Sequence, residues 1–206
     1  MEDAKCKTCR RVGEKLFLKG ERCFSAKCAF VRKPYPPGIH GRTARRGSSE
    51  FAVQLREKQK LRKLYGVAER QFENYVKAAT TSKGDAGGNL LAGLELRLDN
   101  AIFQSGLAPS RSMARQLVSH GHVLVNKRKS RVPSYALRVG DVIALSKRAL
   151  QSKTVVDFEP IFAKYNPPEW LFVDKTAHEA RIATVPQITD GAQLHGTKLI
   201  IEYYAR

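Results

Sequence analysis

The sequence predicts an α+β chain in three parts. Residues 1–47 form a Cys-rich N-terminal extension. Residues 48–95 and 153–206 together form a helical domain with C-terminal strands, and 96–152 form a small α/β module of two helices over a short antiparallel sheet. Three observations carry this division. All four cysteines fall before residue 29, apolar residues recur at helical spacing between 51 and 118, and three β-prone runs separated by turn residues lie between 122 and 145.

In the extension, Cys6 and Cys9 are spaced C-x2-C, Cys23 and Cys28 are spaced C-x4-C, and thirteen residues separate the pairs. Two such pairs can chelate one ion from two knuckles, and four sulfurs suit tetrahedral zinc. The segment is too polar and Gly-rich to fold on a core of its own. Metal binding would supply the missing folding free energy, so the expectation is a metal-braced strap. Zinc leads, with an iron–sulfur cluster as the alternative metal group for four thiolates, and disulfides or uncombined thiols are the remaining alternatives. Around the knuckles stand Arg10, Arg11, Lys15, Lys19, Arg22, Lys27, Arg32 and Lys33. KPYPPGIHG follows at 33–41 and leads to Arg42, Arg45 and Arg46. Its three prolines and two glycines oppose regular helix, which makes the stretch an extended strap. Its cations can follow a polyanion's groove, with Tyr35 or His40 stacking on an unpaired base. A plain linker is the competing interpretation.

A helix begins at Ser48–Ser49 and runs to Leu64, with Gly66 as its stop. Its polar face carries Arg56, Lys58, Lys60, Arg62 and Lys63, tempered by Glu57, and is a second candidate surface for RNA. A following helix puts Phe72, Tyr75, Val76 and Ala79 on one apolar stripe, where aromatic residues pack rather than bind. TTSKGDAGG at 80–88 is a turn leading to Asn89 as an N-cap.

The module opens with a helix whose face carries Leu91, Leu94, Leu98 and Ile102 and which Gly106 can close. Ser110 caps the second helix, where Ala114, Leu117 and Val118 share a face and Gly121 supplies a left-handed end. The β-prone runs are His122–Val125, Arg131–Val132 and Asp141–Leu145, divided by Asn126–Lys127 and by Arg138–Gly140. Arg111 and Arg115 are four apart and share a helix face, and Gln116, His120 and His122 continue toward the same end. Asn126, Lys127, Arg128, Lys129 and Arg131 follow in the turn. Arg meets phosphate through a bidentate fork, and Gln, Asn and His reach sugars and base edges, so the pattern suits RNA. A merely solvated helix face is the alternative.

Beyond Ser146, a helix over Lys147–Val156, strands at Trp170–Val173 and Glu179–Val185, and a closing strand in the terminal LIIEYYAR are expected. Trp170, Tyr203 and Tyr204 belong to a core or a protein interface on this view, because the local charge is near neutral.

Charge narrows the function classes. The chain carries 37 Lys+Arg against 19 Asp+Glu, a formal net charge of +18. Residues 1–50, 51–80, 81–152 and 153–206 hold net +8, +4, +7 and −1, so the basic surface belongs to the first three quarters. Such an excess is self-repelling unless a polyanion neutralises it. No apolar run approaches the roughly 20 residues needed to cross a bilayer. MEDAKCKTCRR has no secretory apolar core, so a cytoplasmic protein is expected. Stiff basic blocks joined to a strap can match several RNA helices at once, which points to recognition of a folded multi-helix junction by shape.

The strings RLDNAIFQSG, SRSMARQLVSHGHVLVN, VPSY and GDVI resemble the S4 RNA-binding module. With CRR, KLFLKGERC, KCAF, LREKQKLRKLYG and ERQF, the chain from about Cys6 to Arg206 resembles the bacterial small-subunit ribosomal protein S4 family in its cysteine-containing form. Lys127 departs from that pattern, which usually has Gly there. The resemblance implies that the module is inserted into the helical domain. It implies a structural, non-enzymatic constituent of the small ribosomal subunit that binds a junction in the five-prime domain of small-subunit rRNA. It further implies early binding that nucleates assembly, contact with neighbouring small-subunit proteins and with messenger RNA near its path into the subunit, and a part in translational accuracy. A pseudouridine-synthase-like RNA-modifying enzyme would need a catalytic domain around a buried Asp, which is not evident in the sequence outside the module. A zinc-dependent nucleic-acid-binding regulator would be expected to offer a recognition helix, also not evident.

Overall fold

The computed structural model describes residues 4–43, 47, 49–187 and 191–205. They fall into two units, 1–90 with 189–206, and 91–188.

In the first unit, α1 (Ala4–Val12) packs on the short α2 (Ala29–Arg32), with a 3-10 turn at Gly20–Cys23 between them. The Pro-rich strap has no regular structure until a single 3-10 turn at Ile39–Arg42. α3 (Glu50–Tyr65) starts where the Ser49 hydroxyl accepts the Ala52 N–H at 3.3 Å, and it stops at Gly66, whose φ of 65° is left-handed. α4 (Glu69–Thr81) buries Phe72, Val76 and Ala79.

The terminal LIIEYYAR is not a strand. Its described residues, 199–205, lie in α10 (Gly191–Ala205), which packs along α3 and α4. Thr197 and Ile200 are buried, Tyr203 lies 5.5 Å from Phe51, and Tyr204 lies 6.3 Å from Phe72. Partners on α3 and α4 reward a 3.6-residue period, and that packing overrides the β propensity of Ile and Tyr. Between α3 and α10, the buried Gln54 amide donates to Glu50 and Glu202, both at 3.2 Å.

α5 (Ala86–Glu95) begins at Asp85, whose carboxylate accepts the Gly87 and Gly88 N–H groups at 3.4 and 2.7 Å. Asn89, expected as the cap, lies inside the helix and bonds back to the Lys83 carbonyl instead. The earlier acid wins because it reaches two unpaired N–H groups of the first turn. Gly87 is needed there, since a Cβ would stand 2.5 Å from the Thr197 hydroxyl.

The second unit holds an antiparallel sheet of order β2-β1-β3-β5-β4. Its strands are β1 (Val123–Val125), β2 (Arg128–Ser130), β3 (Val142–Leu145), β4 (Leu171–Asp174) and β5 (Glu179–Ile182). The sheet therefore continues past the module's expected limit at residue 152, and 153–187 lie with the module rather than with the first unit. Leu98, Ile102, Leu117, Val118, Val123, Ile143 and Ile182 form its core.

Four local expectations are corrected. The apolar face from Leu91 to Ile102 is not one helix, because α5 ends at Glu95 and α6 (Leu98–Gln104) starts anew. Between them Leu98 N–H donates to the Tyr135 carbonyl and Leu137 N–H to that of Leu96, both at 2.9 Å, so the chain pairs as an extended bridge at Arg97. Arg131–Val132 is not a strand. The two-residue turn at Asn126–Lys127, both left-handed with φ of 49° and 65°, returns the chain at once and aligns Val125 with Arg128. Lys147–Val156 divides into α8 (Lys147–Leu150) and α9 (Lys153–Lys164), broken at Gln151–Ser152. The expected strand at Glu179–Val185 stops at Ile182. Finally, α7 (Arg111–Ser119) has the expected Ser110 cap, whose hydroxyl accepts the Met113 N–H, and Gly121 follows it with φ of 70°.

Candidate nucleic-acid interface

The second unit brings its candidate residues together. α7 turns Ala114, Leu117 and Val118 into the core, which leaves Arg115, Gln116 and His120 exposed. Arg111 donates to the Asn100 side chain at 2.8 Å and lies 4.5 Å over the Phe103 ring. Arg115 reaches Asp99 at 3.4 Å, while the carboxylate of Asp99 also holds the fully buried Arg97 at 3.0 and 2.7 Å. Both arginines are thus stitched to α6 before any ligand arrives, which lowers the entropy cost of using them.

At the end of α7 the backbone of Gly121 is tightly approached from β2 and its extension. A Cβ there would collide with Lys129 Cε and stand 3.1 Å from Arg131 Nε. The helix end and the basic hairpin therefore converge. His120 and His122 flank that junction with ring centroids 6.2 Å apart. Asn126 is committed elsewhere: its amide nitrogen donates to Asp141 at 2.8 Å and its oxygen accepts the Val142 N–H at 2.9 Å, which fixes the hairpin. The turn then presents Lys127, Arg128 and Lys129 to solvent.

The first unit divides its candidates. Arg22, Lys27, Arg32, Lys33, His40 and Arg42 are exposed, and Lys15 lies 5.9 Å over the half-exposed Phe17 ring. Lys19 is half-buried and engaged within the protein. Arg45 and Arg46 lie outside the described residues. Arg10 is buried, and its guanidinium donates to the carbonyls of Lys33 and Tyr35 at 3.0 and 2.9 Å, which ties the strap to α1. The Tyr35 ring has the Arg10 and Arg42 guanidinium groups each 5.0 Å from its centroid. Its hydroxyl accepts from Arg42 at 3.2 Å, which with the surrounding cations holds the phenol below its ordinary range. Tyr35 is occupied by cations rather than open for a base.

On α3, Lys58 is buried against Glu69 at 2.5 Å and lies 4.6 Å over the Tyr203 ring. Lys60 pairs with Glu14 at 2.7 Å. Burial pulls its pKa down, but Glu14 and Glu57 outweigh it and hold the ammonium above its usual range. Arg62 bonds Gln59 at 2.8 and 3.2 Å and Glu69 at 3.3 Å. Lys58 and Arg62 thus tie α3 to α4, and Lys60 ties α3 to the bend after α1. Arg56 and Lys63 remain exposed, and with Lys7 and Arg11 of α1 they line a groove of about 540 Å³ in this unit. Lys7 is absent from the sequence-based set, although its four-residue spacing from Arg11 is the signal that would have found it.

The four cysteines lie in the first unit as free thiols. Cys9, Cys23 and Cys28 are buried and Cys6 is half-buried. Burial pushes the Cys9 thiol up. A backbone hydrogen bond at Leu16 opposes this, and the nearby Cys23, Cys6 and Cys28 add to the rise. Among the described residues, no group of three or more His, Cys, Asp or Glu side chains is arranged to hold a metal. No helix among them is long and apolar enough to cross a membrane.

Comparison with known proteins fits this arrangement. Residues 1–95 match the ribosomal protein S4/S9 N-terminal domain, and residues 96–143 match the S4 domain. The chain is 48% identical over 204 residues to small ribosomal subunit protein uS4 of Nitratidesulfovibrio vulgaris strain Miyazaki F, and 45% identical over 204 residues to that of Syntrophomonas wolfei. Each alignment covers 99% of this chain and 98% of the relative. Against uS4 of Caldicellulosiruptor bescii the identity is 46% over 201 residues, covering 98% of this chain and 96% of the relative. With two family models meeting at residue 95 and near-complete alignment to these relatives, the chain belongs to the uS4 family of small-ribosomal-subunit proteins.

Proposed function

We propose that the chain is a structural constituent of the small ribosomal subunit in the cytoplasm, and that it binds small-subunit rRNA at a multi-helix junction of the five-prime domain. The observation that carries this is the convergence at Gly121, where Lys129 and Arg131 close on the end of α7, the helix that also carries Arg115 and ends at His120. Cations fixed on two different elements read the relative placement of phosphates, which a single flexible patch does not. Binding early in assembly, contacts with neighbouring small-subunit proteins and with incoming messenger RNA, and a role in accuracy belong to the same proposal. They rest on family membership rather than on geometry. No catalytic role is assigned to any residue.

The same reading gives the N-terminal thiols a structural metal. The C-x2-C and C-x4-C spacing, with three of the four thiols buried, supports this reading, because four such sulfurs suit zinc or an iron–sulfur cluster, although the described side chains are not arranged around an ion. Bound metal would supply folding free energy to the extension, and its ligands would be Cys6, Cys9, Cys23 and Cys28.

The test is equilibrium binding of the full chain to a five-prime-domain transcript across a salt series. If about eight phosphate contacts form, the slope of log K against log salt is near −7. Replacing Arg111 and Arg115 together with Glu should weaken binding by several kcal/mol, the scale of two lost charged contacts. Unchanged affinity would remove the module from the interface.

A further inference from the structure

The groove in the first unit has a construction that phosphate binding alone does not explain. Lys7 and Arg11 rise from α1, and Arg56 and Lys63 rise from α3. All four are exposed, and none makes an ion pair among the described residues. Among the described residues, no acidic side chain lines the groove. A groove that only tracked a ribose–phosphate backbone would have no use for an apolar floor, yet Val12, Pro37 and Leu55 form one here, each half-buried. At the same site, Gln59 has its amide oxygen taken by Arg62 at 2.8 and 3.2 Å. The orientation of that amide is thereby fixed, with the nitrogen left to donate. The volume of about 540 Å³ lies within the roughly 300–1,000 Å³ range of small-ligand sites.

We infer that this groove takes one unstacked nucleotide of the bound RNA. Its base lies on the Leu55 floor with a ring acceptor or carbonyl facing the Gln59 amide, and its flanking phosphates lie on the four cations. The chemistry matches each part. Sequence-reading proteins reach single-stranded bases by splaying them out, stacking them on apolar, aromatic or guanidinium surfaces and bonding their edges. Arg11 and Arg56 offer guanidinium planes at the rim, and stacking of this kind tolerates any base. The Gln59 donor narrows the choice toward bases that present an acceptor. An acidic peptide would also satisfy the cations, but it would leave the apolar floor and the amide without use. This inference rests on the proposed rRNA binding and assigns one nucleotide of it to a defined place.

The experiment uses the full chain bound to a five-prime-domain transcript, with Ala52, which lines the groove beside Leu55, replaced by the photo-crosslinking residue p-benzoylphenylalanine. Base-specific chemical probing is run in parallel. One unpaired nucleotide should crosslink, and its base edge should be protected only in the complex. Gln59→Ala and Leu55→Glu should each lose that protection and weaken binding roughly tenfold, the scale of one lost hydrogen bond to the base edge or one lost base contact. Protections elsewhere should stay. Circular dichroism reports whether Leu55→Glu folds, and Gln59→Ala alone decides the matter if it does not. Crosslinks spread along a continuous duplex, protection unchanged in the variants, or crosslinking to protein rather than RNA in reconstituted subunits would overturn the inference while leaving rRNA binding intact. Failure of the unmodified chain to bind the transcript would overturn both.

Discussion

Asp99 holds Arg97 and Arg115 with one carboxylate: the first arginine is fully buried at 2.7 Å, and the second is about half-exposed at 3.4 Å. A single acid therefore anchors the start of α6 in the core and aims a cation of α7 outward. Stability and binding are joined at this residue. Asp99→Asn should destabilise the second unit by about 3–5 kcal/mol, because it leaves the Arg97 guanidinium buried without its counter-charge. Urea unfolding followed by circular dichroism measures this, and a loss below about 1 kcal/mol would show that Arg97 finds other compensation.

Gly121 links backbone geometry to the interface. Gly121→Ala strains a left-handed residue, at about 1–2 kcal/mol, and drives a methyl group into the side chains of Lys129 and Arg131. Gly140→Ala makes a fair control, since that glycine is also left-handed, with φ of 93°, but has open space around it. RNA affinity should fall clearly for the first variant and little for the second. Equal effects would mean that strain, not displacement of the basic residues, is responsible.

Glu69 gives the first unit an acid dependence. Burial raises its carboxyl, but hydrogen bonds from Lys58 and Tyr204 and the charge of Arg62 outweigh this and hold it below the usual carboxylate range. In the folded state the ionised form is favoured, so the stabilisation is present above the ordinary carboxylate pKa and is lost as pH falls through the lowered one. The carboxylate is 46% exposed, so about 1 kcal/mol or less is at stake after screening. The stability difference between the native chain and Glu69→Gln should shrink on acidification from pH 7 to pH 3. A constant difference would contradict the assignment.

For the proposed metal, purified protein should carry one zinc ion, or one cluster, per chain by elemental analysis. Chelation or Cys9→Ser should speed hydrogen exchange across residues 4–33 while α7 and the sheet stay protected. Metal-free protein with slow exchange in that segment would remove the brace.

Local chemistry is what made the sequence legible. Ser49 and Gly66 bound α3, Ser110 and Gly121 bound α7, and Asn126–Lys127 turns the hairpin, because caps and turns depend on residues within four positions. The α10 helix was hidden because its reason lies in Phe51 and Phe72, well over a hundred residues away in the chain. The same limit applies to charge. Arg10 and Lys58 look like phosphate ligands in the sequence, but the structure buries one on the strap's carbonyls and the other on Glu69. Nothing in a lysine or arginine codon neighbourhood says which partner folding will bring. The groove stayed invisible for a related reason, since its cations come from helices about fifty residues apart.

The account rests on shape recognition by cations fixed to rigid elements, and one comparison tests that most directly. The full chain is titrated against the five-prime-domain transcript and against a transcript of equal length whose junction helices are rejoined as one continuous duplex, both at physiological salt. The account predicts a preference for the junction on the order of 1,000-fold, the low end of specific over non-specific nucleic-acid binding. Equal affinity for the two RNAs would contradict it.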